Sequence, residues 1–171
     1  RGKAGRIFPQ VLSMLHEAGI KTLVEITEFP GHATELAVRL AKNGVDAVVS
    51  AGGDGTVNEV LNGLAKLDFP VPMGALGIGT GNDFLKSAGT AKNLAKQAEV
   101  IKLGCVKLID LMRITYCDFE GKTAVRYSVN DFGVGFPAKV SFRVNNMKSA
   151  LKGAWSYAAA VITEIRLNKP V

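Results

Sequence analysis

The stretch Val48-Val49-Ser50-Ala51-Gly52-Gly53-Asp54-Gly55-Thr56-Val57-Asn58-Glu59-Val60 constrains the fold more than any other part of the chain. An apolar run of the kind buried in a parallel strand passes at once into glycines around a single carboxylate, and then into a helix-like sequence. Glycines at such a junction let the backbone turn tightly and approach a ligand that a Cβ would exclude. The helix start beyond them offers free N–H groups and a positive dipole end, which suit phosphate. Asp54, alone among them, can hold Mg²⁺ beside phosphates or accept a proton from a substrate or ribose hydroxyl. A plainer reading stands beside this one. Asp-Gly is a common turn, and Thr56 with Glu59 has the spacing of a helix capping box. The two are compatible, since a capping box would build the helix start that phosphates need.

A second loop repeats the pattern in Leu76-Gly77-Ile78-Gly79-Thr80-Gly81-Asn82-Asp83-Phe84, again coupling glycines to a hydroxyl, an amide and a carboxylate. By itself it also reads as Asn82 or Asp83 capping the next helix. Both loops fall at the carboxyl ends of strands, where ligands of open α/β sheets bind, and together they are stronger than either alone.

The rest of the chain supplies the alternation that such a sheet needs. Phe8, Val11, Leu12 and Leu15 share a helical face that Gly19 ends; Ile20 to Thr27 reads as a strand; Ala33 to Ala41 repeats at helical spacing up to Asn43-Gly44. Strands are expected over Val45–Val49 and Val71–Ile78, and helices over Val57–Lys66, Asp83–Ser87 and Asn93–Val100. The expected fold class is therefore α/β, a three-layer, doubly wound, mainly parallel sheet.

After about Lys102 the texture changes. Val106–Thr115 and Thr123–Asn130 read as an antiparallel hairpin around a turn containing Asp118, Glu120 and Gly121, and a helix is expected over 154–167. We accordingly divide the chain into a nucleotide-binding α/β domain, 1–102, and the beginning of a β-rich second domain, 103–171. Arg1-Gly2-Lys3 reads as the middle of something longer, so an upstream segment is expected.

Composition adds little. At 47% hydrophobic and 21% charged, a chain of 171 residues can fill a core and is not a disordered one. A net charge of +6 suits an anionic membrane surface or acidic ligands, or simply a solvated exterior. Cys105 and Cys117 lack metal-ligand spacing, and two cysteines favour a reducing compartment. The sequence has no G-x-x-x-x-G-K-[ST] loop, and Gly77, Gly79 and Gly81 run G-x-G-x-G rather than G-x-G-x-x-G, so Walker and dinucleotide fingerprints are both excluded. His16 and His32 read as surface or cap residues.

GGDGTVNEVLNGL at 52–64 followed by GIGTGNDFLKSAG at 77–89 resembles the diacylglycerol kinase catalytic domain, within the wider lipid kinase superfamily that shares a fold with NAD kinases. GGDG alone also occurs in NAD kinases and 6-phosphofructokinases; the N-E-V-x-N-G that follows, and the second loop, are the lipid-kinase form. RGKAGR resembles the tail of the family's N-P-x-x-G-K opening loop, which implies that the first strand of the α/β domain and its Asn-Pro lie upstream. Thr27 to Ala33, Ile109-Asp110-Leu111, Asn130 to Phe136 and Gly153 to Tyr157 match further segments, so the resemblance covers nearly the whole chain.

That resemblance implies ATP and Mg²⁺ as cofactors and transfer of a phosphoryl group to a lipid alcohol, diacylglycerol or a sphingoid base among them. It implies nucleotide contacts at Lys3, Thr27, Gly52, Gly53, Asp54, Gly55, Thr56, Val57, Asn58, Glu59, Gly79, Thr80, Asn82 and Asp83. Asp54 is the expected catalytic residue and an expected Mg²⁺ contact, with Glu59 and Asp83 in support. A cytoplasmic enzyme touching the membrane surface transiently is implied, with no nucleic acid partner, and a homodimer is compatible with it. Gly77 departs from the family's usual Pro, and Pro137 replaces an acid of its G-x-G-F-D-A pattern. The family's main metal-binding and general-base carboxylates are expected beyond Val171, so residues 1–171 alone are expected to bind ATP weakly and to phosphorylate lipid poorly. An NAD kinase and a non-catalytic nucleotide- or lipid-binding relative are the alternatives.

Overall fold

Alternating apolar runs fold here into layers. The computed structural model describes residues 3–79, 81–89, 93–118, 120–146 and 154–167. It forms two compact units, 1–130 and 131–171.

In the first unit, helix α1 (Lys3–Glu17) ends where Gly19 takes a φ of 79°. Helix α2 (His32–Lys42) is followed by strand β1 (Val48–Gly52), helix α3 (Asp54–Ala65) and strand β2 (Met73–Gly77). The short helix α4 (Asp83–Ser87) and helix α5 (Leu94–Leu103) come next. Strands β1 and β2 pair in parallel, with Val48 opposite Met73 and Gly52 opposite Gly77. That register makes both glycine loops leave the sheet side by side. Pleating sends Val48 to one face, where it packs with Ala33 and Ala37 of α2 and Val60 and Leu64 of α3. Val49 and Ala51 go to the other face and meet Val11 and Leu15 of α1 and Ala98 of α5. Helices thus cover both faces of a parallel sheet, the α/β arrangement expected.

One expected strand is absent. Residues 20–28 form no regular element, and Leu23 and Ile26 are exposed. The run has the composition of a strand, but strandness is a ladder, and among the described residues β1 and β2 pair only with each other.

Strands β3 (Met112–Cys117) and β4 (Thr123–Ser128) form the expected antiparallel hairpin, with Met112 opposite Ser128. Its turn is closed by Asp118 Oδ1, which accepts from the N–H groups of Glu120 and Lys122 at 2.9 and 2.8 Å. The change of texture near Lys102 coincides with the end of α5, yet by contact the hairpin groups with the α/β layers. Side-chain amides of α3 hold its backbone, as described below.

The described elements of the second unit are helix α6 (Phe136–Asn146) and helix α7 (Ala154–Leu167), the latter over the residues where a helix was expected. Pro137 stands in the first turn of α6, where a missing N–H has no intrahelical partner to lose. Helices α6 and α7 are tied by Arg143 Nε donating to the buried Glu164 Oε1 at 2.5 Å.

Helices α2 and α3 approach closely at Gly63. A Cβ at Gly63 would stand 2.5 Å from the Thr34 carbonyl oxygen and 2.8 Å from Ala37 Cβ. Alanine would add about 1 kcal/mol of helix propensity there, against an overpacking penalty of about 1–3 kcal/mol. The obstructing atom is backbone and cannot step aside, so Gly63→Ala is expected to lower stability, by up to about 2 kcal/mol. A raised urea midpoint would show that the helices are free to part.

Candidate functional site

The two glycine loops meet backbone against backbone. The Gly52 carbonyl accepts from the N–H groups of both Ile78 and Gly79, each at 3.1 Å. A Cβ on Gly79 would lie 2.4 Å from Gly53 Cα, and one on Gly52 would lie 2.5 Å from Thr56 Oγ1. Neither position has room for a side chain.

Asp54 opens α3 between the loops. Its Oδ1 accepts from Phe84 N at 3.2 Å, and Asn130 Nδ2 stands at a long 3.5 Å. Its Oδ2 lies 2.8 Å from where a Gly81 Cβ would be, and Asp83 Oδ2 lies 3.4 Å from the same point. Two carboxylates therefore converge over a glycine. Asp83 also pairs with Lys86 at 2.7 Å and is largely exposed.

Asn82 adopts a left-handed φ of 53° and precedes α4, but its side chain does not cap that helix. Its amide donates back to the carbonyls of Gly77 and Gly79, at 3.2 and 3.0 Å, and stitches the second loop shut. Asn82 Oδ1 has no partner among the described residues.

The capping box expected at Thr56 and Glu59 does not form. Helix α3 begins at Asp54, with Gly53 as an N-cap that offers no side chain, and Thr56 already lies inside the helix beside Gly52. The amides of the first turn are left without a capping side chain, the arrangement that receives an anion. Glu59 instead reaches the start of α2. Its Oε1 accepts from Gly31 N at 2.9 Å and its Oε2 from Ala33 N at 3.1 Å. Gly31, with a φ of 89°, has no side chain to cap α2, so a carboxylate from the neighbouring helix does it.

The remaining expected positions divide. Thr27 is exposed on the segment leading to α2, where His32 stacks on Phe29 and accepts from Glu28 N. Gly55 is exposed and Val57 is buried against Ala75 and Leu85. Asn58 turns its amide to the Tyr127 carbonyl at 3.3 Å. Lys3 lies in the first turn of α1, and its side chain is outside the described residues, as is Thr80. Asn130 and Asn62 were not singled out from the sequence. Their partners lie 65 to 76 residues away, a separation that leaves no periodic signal.

The residues fit a phosphate chain: a cradle that a Cβ would fill, uncapped helix amides and one oriented carboxylate. A divalent cation would find Asp54 and Asp83 here, and the described residues contain no cluster of three or more acidic, His or Cys groups.

Residues 1–114 match the model of the diacylglycerol kinase catalytic domain. A diacylglycerol kinase of Bacillus subtilis (strain 168) is 32% identical over 86% of this chain and 46% of its own length. One from Staphylococcus haemolyticus (strain JCSC1435) is 35% identical over 89% and 43%. A crystal structure of a diacylglycerol kinase from Bacillus anthracis str. Sterne superposes with a TM-score of 0.52 at 31% identity, over 60% of this chain and 39% of that one. Another crystal structure from that strain gives 0.56 at 30% identity, over 65% and 40%. The chain belongs to the diacylglycerol kinase catalytic domain family. It spans somewhat less than half the length of the curated relatives it matches.

Among the described residues Glu59 is the side chain that caps α2, so Glu59→Ala is expected to lower stability by about 1–2 kcal/mol, in the range of lost helix caps. Glu59→Gln keeps one acceptor and turns a donor toward the other N–H, so it is expected to recover only part of that loss. Equal denaturation midpoints for the alanine variant and the wild type would remove Glu59 from this role.

Proposed function

We propose that this chain is the nucleotide-handling part of an ATP-dependent lipid kinase. The observation that carries the reading is the position of Asp54, an oriented carboxylate at an uncapped helix start between two touching glycine loops. Phosphoryl transfer asks mainly for alignment and charge neutralisation, and backbone amides with a metal-facing carboxylate meet that demand.

On this reading the amides of Gly53 to Thr56 hold the phosphates, with Thr27, Thr80 and the Gly79 backbone completing the nucleotide contacts and Lys3 near the phosphates. Mg²⁺, when bound, neutralises charge on the β- and γ-phosphates. Asp54 Oδ1 is engaged by Phe84 N, which leaves Oδ2 facing Gly81 for the metal. A lipid hydroxyl oxygen bonds to the γ-phosphorus, the bond to the bridging oxygen breaks, ADP leaves, and the hydroxyl proton passes to another base. Glu59 acts at one remove, by holding the residues around Gly31. The relatives' substrate makes diacylglycerol the first lipid to test. Such a substrate brings the enzyme to a membrane surface, and a net charge of +6 suits anionic lipid. No helix among the described residues is long and apolar enough to cross a membrane.

The test is transfer of labelled phosphate from ATP–Mg²⁺ by the complete protein into diacylglycerol and other lipid alcohols, with NAD as a control acceptor. Label is expected in lipid, and Asp54→Ala is expected to reduce it by at least about 100-fold, the scale for removing one key electrostatic group. Label in NAD, or undiminished lipid labelling by the variant, would overturn the reading.

A further inference from the structure

Asp54, Asn58 and Asn62 recur at every fourth position of α3 and so form one polar stripe along it. Strand β4 and its continuation run beside that stripe. Asn62 grips Tyr127 as a second strand would: its Nδ2 donates to the Tyr127 carbonyl and its Oδ1 accepts from Tyr127 N, both at 2.9 Å. Asn58 Nδ2 adds a bond to the same carbonyl at 3.3 Å. Asn62 is itself braced, since its Nδ2 also donates to the Asn58 carbonyl at 2.8 Å. Phe69 closes on Tyr127 edge to face, with ring centroids 5.8 Å apart.

Beyond this anchor the chain continues through the buried Ser128 and through Val129, which packs on the cluster of Val57, Ala75 and Leu85. It reaches Asn130, whose amide faces Asp54. The dimensions agree. From the level between Asn58 and Asn62 back to Asp54, a helix climbs about 9 Å at 1.5 Å per residue. From Tyr127 to Asn130 three residues can reach at most about 10 Å, and the bend at Val129 and Asn130 keeps the span within that reach. Fixing Tyr127 therefore fixes which residue arrives at Asp54. A slip of one residue would put Val129 or Asp131 there in place of an amide donor.

We infer that Asn62 is a positioning residue: it clamps the backbone of Tyr127 to α3 and thereby delivers Asn130 to the Asp54 carboxylate. The inference rests on the proposed role of Asp54 for its catalytic consequence, and on geometry alone for the clamp. A Gln at 62 would overreach and an Asp would keep only the acceptor for Tyr127 N, so an amide of this length is required for both bonds.

The test uses the complete protein with Asn62→Ala, Asn130→Ala and the double variant. Amide hydrogen exchange at Tyr127 is expected to rise at least tenfold in Asn62→Ala while β1 keeps its protection. For phosphate transfer to diacylglycerol, kcat is expected to fall about 10- to 100-fold in each single variant, the scale of a misplaced catalytic contact, with KM for ATP within about twofold. The double variant should be no slower than the slower single one, because both changes remove the same contact. Fully additive losses, or unchanged exchange at Tyr127, would overturn the inference. If Asn62→Ala does not fold, Asn62→Asp gives the same readings with one bond retained and an intermediate loss expected. If the wild type labels no lipid, the kinase reading falls, while hydrogen exchange still decides the clamp.

Discussion

The site depends on one contact: the backbone of the first glycine loop lies directly on that of the second. Gly52 and Gly77 face each other in the parallel register, and immediately beyond them the Gly52 carbonyl takes two N–H groups from the second loop. A Cβ on Gly79 would fall 2.4 Å from Gly53 Cα. Loops held this closely cannot be set independently. Asp54 begins α3 one residue after Gly53, and Phe84 begins its bond to Asp54 from α4, so the contact between glycines fixes the distance between two helix starts.

Helix α3 carries this order outward. Its apolar face, Val57, Val60, Leu61 and Leu64, is buried against the sheet and α2, which holds the helix in place. Its polar groups then reach in separate directions: Glu59 to the start of α2, Asn58 and Asn62 to the hairpin, Asp54 to α4. Each bond joins a side chain of α3 to backbone elsewhere. Such bonds are modest singly, about 1 kcal/mol, but they specify register where apolar contact tolerates sliding. The N-E-V-x-N-G segment after the glycines is thus largely a set of tethers, and its asparagines face the hairpin.

The sequence made the layers and the loops legible because both are written in local terms: apolar periodicity for α1 to α5, glycines at strand ends for the site, turn residues for the hairpin. It was less informative wherever a residue's partner lies far along the chain. Ile20 to Thr27 has strand composition, yet composition says nothing of whether a neighbouring strand is present to pair with it. Glu59 follows Thr56 at capping-box spacing, but the uncapped Gly31 of another helix competes for its carboxylate and wins. Asn62 and Asn130 are ordinary polar residues until the hairpin returns to α3. Helix α6 was not expected from the sequence; Pro137 stands in its first turn, where a missing N–H has no intrahelical partner to lose.

The position of Asp54 contains a conflict that the proposed chemistry resolves. A carboxylate in the first turn of a helix is favourable by about 0.3–1 kcal/mol, since it faces the positive end of the dipole. A phosphate chain bound at the same amides would seek the same field, and two negative groups about 4 Å apart repel by roughly 1–4 kcal/mol between bulk water and a protein surface. Asp54 would therefore weaken binding of bare phosphates at the very site the glycines shape. With Mg²⁺ bound the sign would reverse, and the carboxylate that opposes the phosphates would become a tether for their metal. Asp83, converging on Gly81 from the other side, strengthens both halves of the argument. On the proposed reading the loop pair selects the magnesium complex of a nucleotide over the free nucleotide, and the selection follows from where α3 begins.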